Sequence, residues 1–337
     1  MYRLLLLTKV LSSATVVLLF STVLVVGIAG CGPEPNLLVY VSDREGNLDI
    51  FVLDTVRGTE PRNLTSSPQD EYLPILSPDG RYVAFLSGSG NEITLEVIRF
   101  DGSERRALTL SSGVRRTHRW SPDSKRVAFV AEIHGKSTVR IVGLDGLEPL
   151  QLTSIAGDGV GDWSSDGESV LFSVPIGLNQ GIYTRNPDGV NEFRLTDTPD
   201  YSPVWSPDKE KIAILSYRDG NPEVYVMGSD GMDQRRLTDS DASEYQIAWS
   251  PDGRQILYVS ERDGNPEVYI ADIESGKHTR LTHNDVRDDS PVWSRNGRSI
   301  AFVSYLDGDS EIYIMHFDGT DQTRLTTNDF EDTNPSW

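Results

Sequence analysis

Residues 248–282 read AWSPDGRQILYVSERDGNPEVYIADIESGKHTRLT, and turn and strand signals alternate along them in a fixed order. Ser250-Pro251-Asp252-Gly253 is a β-turn signal, because proline presets φ at the second turn position. The apolar run 256–259 predicts a strand, and Asp263-Gly264-Asn265 is a hairpin signal. Residues 267–270 alternate as a strand does, and a further strand ends at Leu-Thr. Nothing here has the 3.6-residue period of a helix, so the stretch predicts four short strands.

The same pattern recurs along the whole chain. The six tryptophans are 42 to 44 residues apart, and Leu76 lies 44 residues before Trp120 in front of the same Ser-Pro-Asp-Gly sequence. In all six complete units, a Leu-Thr pair follows 32 residues after the Trp or Leu76. Four-stranded units of this length, repeated seven times, predict an all-β, seven-bladed β-propeller of four-stranded antiparallel blades. The Leu-Thr pairs begin at Leu64, Leu108, Leu152, Leu195, Leu237, Leu281 and Leu325.

The repeat unit resembles the TolB-like β-propeller repeat of bacterial envelope proteins. The resemblance rests on Leu-Thr, Pro-x-Trp-Ser-Pro-Asp-Gly, Ile-Ala-Phe-x-Ser and Asp-Gly-Asn-x-Glu-Ile-Tyr in that order, and it covers residues 37–337. It implies a propeller of the cell envelope, although propellers host many unrelated functions. TolB proteins have six blades and a separate N-terminal α/β domain. Here the seven Leu-Thr pairs predict seven blades, and we expect no such domain in the short linker before residue 37.

The two ends of the repeat are predicted to complete one blade together. Residues 37–65 supply the second, third and fourth strands of a unit, and residues 334–337 supply the missing Trp strand. Closure by N- and C-terminal strands in one blade removes an open sheet edge. The N-terminus then enters on the face of the Ser-Pro-Asp-Gly turns, opposite the Leu-Thr connections.

Residues 1–30 are predicted to be a lipoprotein signal peptide. They contain Arg3 and Lys9, no acid, a long apolar middle and a small-residue end. Ile28-Ala29-Gly30-Cys31 resembles a bacterial lipobox, in which the peptidase cuts before a cysteine that then carries lipid. Cys31 is therefore the predicted lipidation site, and residues 31–36 are the lipidated cysteine and a short linker. An uncleaved membrane anchor is the alternative. Both interpretations place the propeller at a membrane, facing the periplasm or the cell exterior.

Composition argues against several classes of protein. The chain has 337 residues, with 31 Lys+Arg against 51 Asp+Glu and a formal net charge of −20. Nucleic-acid binding is disfavoured, because phosphate backbones need clustered Lys and Arg. One cysteine excludes an internal disulfide and a cysteine-based zinc cluster. The sequence has neither a Gly-x-Ser-x-Gly nucleophile motif nor a His-Glu-x-x-His metal motif. We expect a monomer with no cofactor and no metal.

The residue five before each Trp, or before Leu76, is a candidate site because it opens the strand nearest the channel axis. Six of the seven are acids, which would form a funnel for a cation, a basic peptide or an amine. The alternative is that each carboxylate accepts a backbone N–H within the propeller. One blade has Arg115-Arg116-Thr117-His118-Arg119 instead, which would grip an anionic group or pair with neighbouring acids. The predicted channel-mouth residues are Glu71, Arg115, Arg116, Asp158, Asp200, Glu244, Asp288 and Asp332.

A second pattern is open to two interpretations. Asp263-x-Asn265-x-Glu267 has alternating oxygens that would suit Ca²⁺, but it lacks the EF-hand pattern, and Asp-Gly-Asn is first a hairpin turn. We therefore interpret it as a turn.

Two functions fit the sequence. The first is a lipid-anchored, non-catalytic binding module that presents its variable loops and acidic channel mouth to an envelope protein, a cationic peptide or a polymer. The alternative is a propeller hydrolase or lyase with a metal-assisted site at the channel mouth. An enzyme should break the repeat with clustered His, Asn or Glu side chains. Only the blade of Arg115 breaks it, and with basic residues, which favours the binding module.

Overall fold

The computed structural model describes residues 36–58, 60–90, 92–109, 113–133, 135–146, 148–153, 159–174 and 177–337, without the side chains of Arg115, Arg116 and Ile133. Within these ranges the chain forms 28 strands in seven four-stranded antiparallel sheets. Each sheet is one blade of a β-propeller, so the predicted fold is confirmed. No helix in this part of the chain is long and apolar enough to cross a membrane.

The strands follow the repeat in chain order. Blade 1 contains β1 (Leu37–Ser42), β2 (Asp49–Asp54) and β3 (Arg62–Asn63). Blade 2 contains β4 (Glu71–Leu76), β5 (Tyr82–Ser87), β6 (Thr94–Arg99) and β7 (Arg106–Ala107). Blade 3 contains β8 (Val114–Trp120), β9 (Arg126–Ile133), β10 (Lys136–Gly143) and β11 (Leu150–Gln151). Blade 4 contains β12 (Gly159–Trp163), β13 (Val170–Val174), β14 (Gly181–Arg185) and β15 (Phe193–Arg194).

The remaining blades repeat this order. Blade 5 contains β16 (Asp200–Trp205), β17 (Lys211–Ser216), β18 (Glu223–Gly228) and β19 (Arg235–Arg236). Blade 6 contains β20 (Glu244–Trp249), β21 (Gln255–Ser260), β22 (Glu267–Asp272) and β23 (His278–Arg280). Blade 7 contains β24 (Asp288–Trp293), β25 (Ser299–Ser304), β26 (Glu311–His316) and β27 (Thr323–Arg324). The last strand is β28 (Asp332–Ser336).

The last strand closes the ring. β28 pairs antiparallel with β1, with Thr333 opposite Val41 and Asp332 opposite Ser42. Blade 1 therefore has the order β28-β1-β2-β3, with its first strand supplied by the C-terminus. This confirms the predicted closure and leaves β1 without an open edge.

Strand direction gives the ring two different faces. The loop face carries the connections after Leu-Thr and the hairpins between the second and third strands. The turn face carries the Ser-Pro-Asp-Gly turns. Asn36 lies on the turn face, where its carbonyl oxygen accepts the N–H of Thr55 at 3.0 Å. Trp337 follows β28 on the same face.

Repeated hydrogen bonds explain the repeated residues. In the first Ser-Pro-Asp-Gly turn, Gly80 N–H donates to Ser77 O at 2.8 Å and Ser77 Oγ donates to Asp79 Oδ1 at 2.6 Å. The threonine of each Leu-Thr pair accepts a backbone N–H at the start of the third strand of its blade, as Val224 donates to Thr238 Oγ1 at 2.8 Å. A valine would leave that N–H unpaired. The seven threonines are Thr65, Thr109, Thr153, Thr196, Thr238, Thr282 and Thr326.

The hydrophobic core is divided among the junctions between blades. The buried apolar residues of the described chain form seven clusters, each built from two neighbouring blades. Trp120 packs with Leu86 of blade 2 and Phe129 of blade 3, and its Nε1 donates to Ile75 O at 2.9 Å. Trp249 Nε1 likewise donates to Val204 O of the preceding blade at 3.1 Å. The tryptophans therefore join blades, as expected for core packing.

Every first strand is bulged before its Trp or Leu76. The pairing of β20 with β21 shifts register by one residue between Tyr245 and Ala248, and five other first strands shift equivalently. In β8 the shift between Arg115 and His118 is two residues. A bulge inserts one extra residue and interrupts the alternation of side chains between the two faces of a strand. In five blades the residue three before the Trp or Leu76 is left-handed, with φ from 49° to 55°. These residues are Leu73, Ser202, Gln246, Ser290 and Asn334.

Candidate functional site

Five of the acids predicted to form the channel-mouth ring are fully buried. Each opens the first strand of its blade, as expected, but none of its surface is exposed to solvent. The expectation of an exposed acidic ring therefore differs from the structure. The bulge explains the difference. Because it inserts an extra residue, the number of residues between an acid and the Trp does not tell on which face of the strand the acid's side chain lies. The five acids are Glu71, Asp200, Glu244, Asp288 and Asp332.

Most of these carboxylates are paired with an arginine inside the propeller. Glu244 Oε1 accepts hydrogen bonds from Ser240 Oγ and Ser260 Oγ, both at 2.8 Å, and from Arg262 Nη2 at 3.0 Å. Burial raises the pKa of Glu244 above its usual range. Equivalent arginine pairs are Arg105–Glu71 at 2.9 Å, Arg218–Asp200 at 3.0 Å and Arg44–Asp332 at 2.8 Å. These carboxylates serve as acceptors within the fold, and direct contact with a partner stays a prediction.

A second set of buried acids lies on the third strands. Glu223 accepts a hydrogen bond from Arg236 Nη2 at 2.7 Å and from Ser240 N–H at 2.9 Å. Ser240 therefore bonds both Glu223 of blade 5 and Glu244 of blade 6, and so ties the variable connection to two blades. Sequence reasoning missed these bridging residues, although each is a Ser or Asn that lies four residues before the acid at the start of a first strand. The others are Ser67, Asn284 and Asn328.

Asp288 lacks the arginine that its counterparts have. Its Oδ2 accepts a hydrogen bond from Asn284 Nδ2 at 2.6 Å, whereas Oδ1 is buried without a hydrogen-bond partner. Leu306 stands in the hairpin where blades 5 and 6 have Arg218 and Arg262. Burial raises the pKa of Asp288 to about 6 and the nearby Glu267 adds to the rise, against the lowering effect of the Ser304 hydroxyl and the Asn284 amide.

The Asp-x-Asn-x-Glu hairpins hold no ready calcium ligands. Gly264 N–H donates to Glu261 O at 3.0 Å, which closes the hairpin turn that the sequence predicts. Asn265 Nδ2 donates to Glu267 Oε1 at 2.7 Å, and Arg280 Nη2 donates to the same oxygen at 2.7 Å. The carboxylate is occupied by donors, so the interpretation as a turn is confirmed. Among the residues that the structure describes, no group of three His, Cys, Asp or Glu side chains is placed to hold a metal ion.

Two cavities lie along the first strands at the centre of the ring. The larger, of about 800 Å³, is lined by loop-face residues such as Asp200 and Tyr217, and by Tyr201, Pro203 and Tyr245. The smaller, of about 360 Å³, is lined by residues closer to the turn face in blades 1, 2, 3, 6 and 7. Arg119 lines both cavities, so it lies where the two meet.

Arg119 belongs to the blade whose sequence breaks the acidic pattern. It is partly buried, and its Nη1 donates to His118 O at 2.9 Å. The neighbouring blade places Asp162 at the equivalent position, and the two side chains attract each other electrostatically. Burial nevertheless raises the pKa of Asp162 to about 6, against the opposing effect of Arg119. Its carboxylate accepts the N–H of Trp163 at 2.8 Å and of Trp205 at 3.3 Å.

Several predicted site residues fall outside the described part of the chain. Cys31 and Asp158 are among them, as are the side chains of Arg115 and Arg116. Of the predicted site, the structure therefore places only the five acids, and it brings Asp200 alone among them to the lining of the larger cavity. Arg119 and the tyrosines were not predicted, although Arg119 stood in the one sequence that departs from the repeat.

Fold and cavities together define a seven-bladed propeller with a central cleft, an architecture used for binding and for catalysis. The chain matches the family model of the TolB beta propeller domain over residues 25–200 and 198–337. It therefore belongs to the TolB β-propeller family, as its repeat indicated.

Individual relatives fit this assignment. The chain is 31% identical over 192 residues to the protein TolB homolog of Chlorobium luteolum, a match covering 56% of this chain and 34% of that protein. It thus matches about a third of that relative's length. The structure resembles TolB from Acinetobacter baumannii with a TM-score of 0.62, 21% identity, and coverage of 89% of this chain and 66% of that one. It also resembles an oligogalacturonate lyase in complex with manganese, with a TM-score of 0.69, 15% identity, and coverage of 84% and 86%. At such identities these likenesses show the fold alone.

Proposed function

We propose that this protein is a non-catalytic binding module of the bacterial cell envelope. A lipid on Cys31 would hold it at a membrane, and its loop face would receive a protein, a cationic peptide or a polymer. Family membership supports an envelope protein, and the lipobox-like sequence before Cys31 supports the anchor. Each CH₂ group of a lipid chain that is buried in the membrane contributes about 0.8 kcal/mol to binding, so several chains together would give a stable attachment.

The position of the chain ends carries this proposal. Asn36, five residues after Cys31, lies on the turn face. An anchor there would leave the loop face pointing away from the membrane, and that face carries Asp200 and Tyr217 of the larger cavity's lining. The loop face also carries the connections of variable length, which are the part of a repeat protein that adapts to a partner. The acids of the ring contribute by holding those connections in place.

Two matched substitutions test which face binds. Tyr217 is 49% exposed in a loop-face hairpin, and Phe317 is 46% exposed in a turn-face connection. Each is changed to Glu, and the wild type and both variants are used to capture partners from the cell envelope. We expect Tyr217→Glu to lose the partner that the wild type retains and Phe317→Glu to keep it. Loss in both variants, or in Phe317→Glu alone, would contradict a loop-face site.

A lyase or hydrolase is the second candidate, favoured by the fold likeness to the oligogalacturonate lyase and by the size of the larger cavity. Incubation with oligogalacturonate and Mn²⁺, followed by ultraviolet absorbance of an unsaturated product, tests it directly. We expect no product. Product formation that disappears on removal of the metal would replace the binding-module proposal.

A further inference from the structure

The larger cavity lies where the sevenfold repeat is broken. In five blades the residue before the Trp or Leu76 is small or apolar, whereas blades 3 and 4 place Arg119 and Asp162 there. Blade 4 also has Gly161 where four other blades have proline. A Cβ at Gly161 would approach Pro203 Cγ to 2.4 Å, so the neighbouring blade packs directly against this glycine. The cavity therefore departs from the repeat at Arg119 and Gly161, while Tyr201, Pro203 and Tyr245 of its lining stand at shared repeat positions.

Arg119 has guanidinium donors that the described residues leave unused. Of the described residues that line the two cavities, it is the one arginine or lysine. Its Nη1 donates to a backbone carbonyl, and the part of the chain that the structure describes places no carboxylate within 4.0 Å of it. Asp162 is engaged by two backbone N–H groups, and Asp200 is paired with Arg218. A guanidinium has five N–H donors and remains charged at all physiological pH values, so Arg119 is available to a carboxylate ligand.

The wall of the larger cavity suits a flat apolar group. Tyr201 and Tyr217 are stacked, with ring centroids 5.3 Å apart and an interplanar angle of 21°. Both rings line the cavity together with Tyr245 and Pro203. Aromatic rings pack favourably on other aromatic rings in offset or edge-to-face geometry. The cavity therefore combines a cation at its inner end with aromatic surface on the side of the loop face.

We propose that Arg119 anchors a binding site for a small aromatic carboxylate in the central channel, with Tyr201 and Tyr245 against its ring. The ligand is a free organic acid that occupies the channel. It is distinct from the partner that we propose for the loop face, so the site exists whether or not that partner does.

Mandelate is the probe, because it joins a carboxylate to a phenyl ring. Mandelamide is its uncharged analogue with the same ring. Titration calorimetry of the full chain should give a preference for mandelate over mandelamide of about tenfold or more, as expected for a hydrogen-bonded charge pair.

Substitutions then assign the anchor. Arg119→Gln should weaken mandelate binding about tenfold or more. Arg119→Lys keeps the charge but not the planar guanidinium, and should weaken the binding less. Arg254→Gln makes the same charge change at an exposed turn-face residue and should bind like the wild type. Melting temperatures confirm that each variant folds. If Arg119→Gln does not fold, the decision rests on the wild-type preference for mandelate over mandelamide and on Arg119→Lys.

Several results would overturn the proposal. Absence of mandelate binding at millimolar concentration does so, as does equal binding of mandelate and mandelamide. Equal weakening by Arg119→Gln and Arg254→Gln would show that net charge, and not the channel arginine, attracts the anion. Unchanged binding in folded Arg119→Gln would place mandelate elsewhere on the protein.

Discussion

Asp288→Asn should stabilise the protein at neutral pH, although it replaces a buried residue of the repeat. Asp288 is the ring acid whose arginine is replaced by Leu306, and its Oδ1 has no hydrogen-bond partner. Holding the carboxylate ionised in this place is unfavourable, because burial and the nearby Glu267 both oppose the charge. An amide has the same shape and no charge, and it can still accept from Asn284.

The pKa of Asp288 sets the expected magnitude. Burial raises that pKa from 3.8 to about 6. Each pKa unit corresponds to 1.36 kcal/mol, so ionisation destabilises the folded state by ~3 kcal/mol. The penalty is fully present above pH 6, because there the folded group is ionised. It decreases as pH falls from about 6 toward 3.8, since the folded state then binds a proton that the unfolded state lacks.

Urea denaturation of the wild type and the variant between pH 8 and pH 4 measures this effect. We expect Asp288→Asn to raise the free energy of unfolding by about 1–3 kcal/mol at pH 8 and to be nearly neutral at pH 4. Asp332→Asn is the matched control, because Asp332 occupies the same position in blade 1 but accepts from Arg44 at 2.8 Å. Asp332→Asn should lower the free energy of unfolding by roughly 1.5–3 kcal/mol, because it weakens the hydrogen bond from Arg44. Destabilisation by both substitutions at pH 8 would refute the account of Asp288 as an unpaired buried charge.

Three further results are expected. Deletion of residues 332–337 removes β28 and exposes the edge of β1. The free energy of unfolding should fall by at least roughly 3 kcal/mol and the protein should aggregate, which melting curves and light scattering measure. A truncated protein as stable as the wild type would exclude closure by that strand. Thr238→Val leaves Val224 N–H unpaired and removes a donor to Glu223, so urea denaturation should show a free energy of unfolding lower by about 1–3 kcal/mol. The control Thr320→Val, in an exposed turn, should change that free energy little. Cys31→Ser should abolish incorporation of labelled palmitate; unchanged labelling would show that Cys31 is not the lipidation site.

Much of the fold follows from periodicity along the chain. Trp and Leu-Thr recur at fixed spacing because each blade repeats the same local bonds: the turn after Trp249 closes on Ser250, and Thr282 accepts the N–H that opens the third strand. Strand number and closure could be predicted because each depends on local signals and on counting. The missing first strand of blade 1 was visible for the same reason.

The site could be predicted less well, because it depends on which way side chains point. The acids at the strand starts were found as a pattern, yet the pattern does not distinguish an exposed ring from a buried one. The bulge between Tyr245 and Ala248 interrupts the alternation that would have given the direction of Glu244. Prolines two residues before the Trp or Leu76, such as Pro203 and Pro291, were the available signal of a bulge.

A seven-bladed, all-β ring closed by its two ends follows from the repeat alone, because hydrogen bonding within a blade is local and repeats with the chain. What the charged residues do depends on how the blades pack together. Glu244 meets Arg262 and Ser240 inside the protein, while Arg119 lines the channel and forms no ion pair with a carboxylate of the described residues. Burial and pairing arise between strands and between blades, from the direction of each side chain in the closed ring. No spacing along one strand specifies that direction once a bulge intervenes.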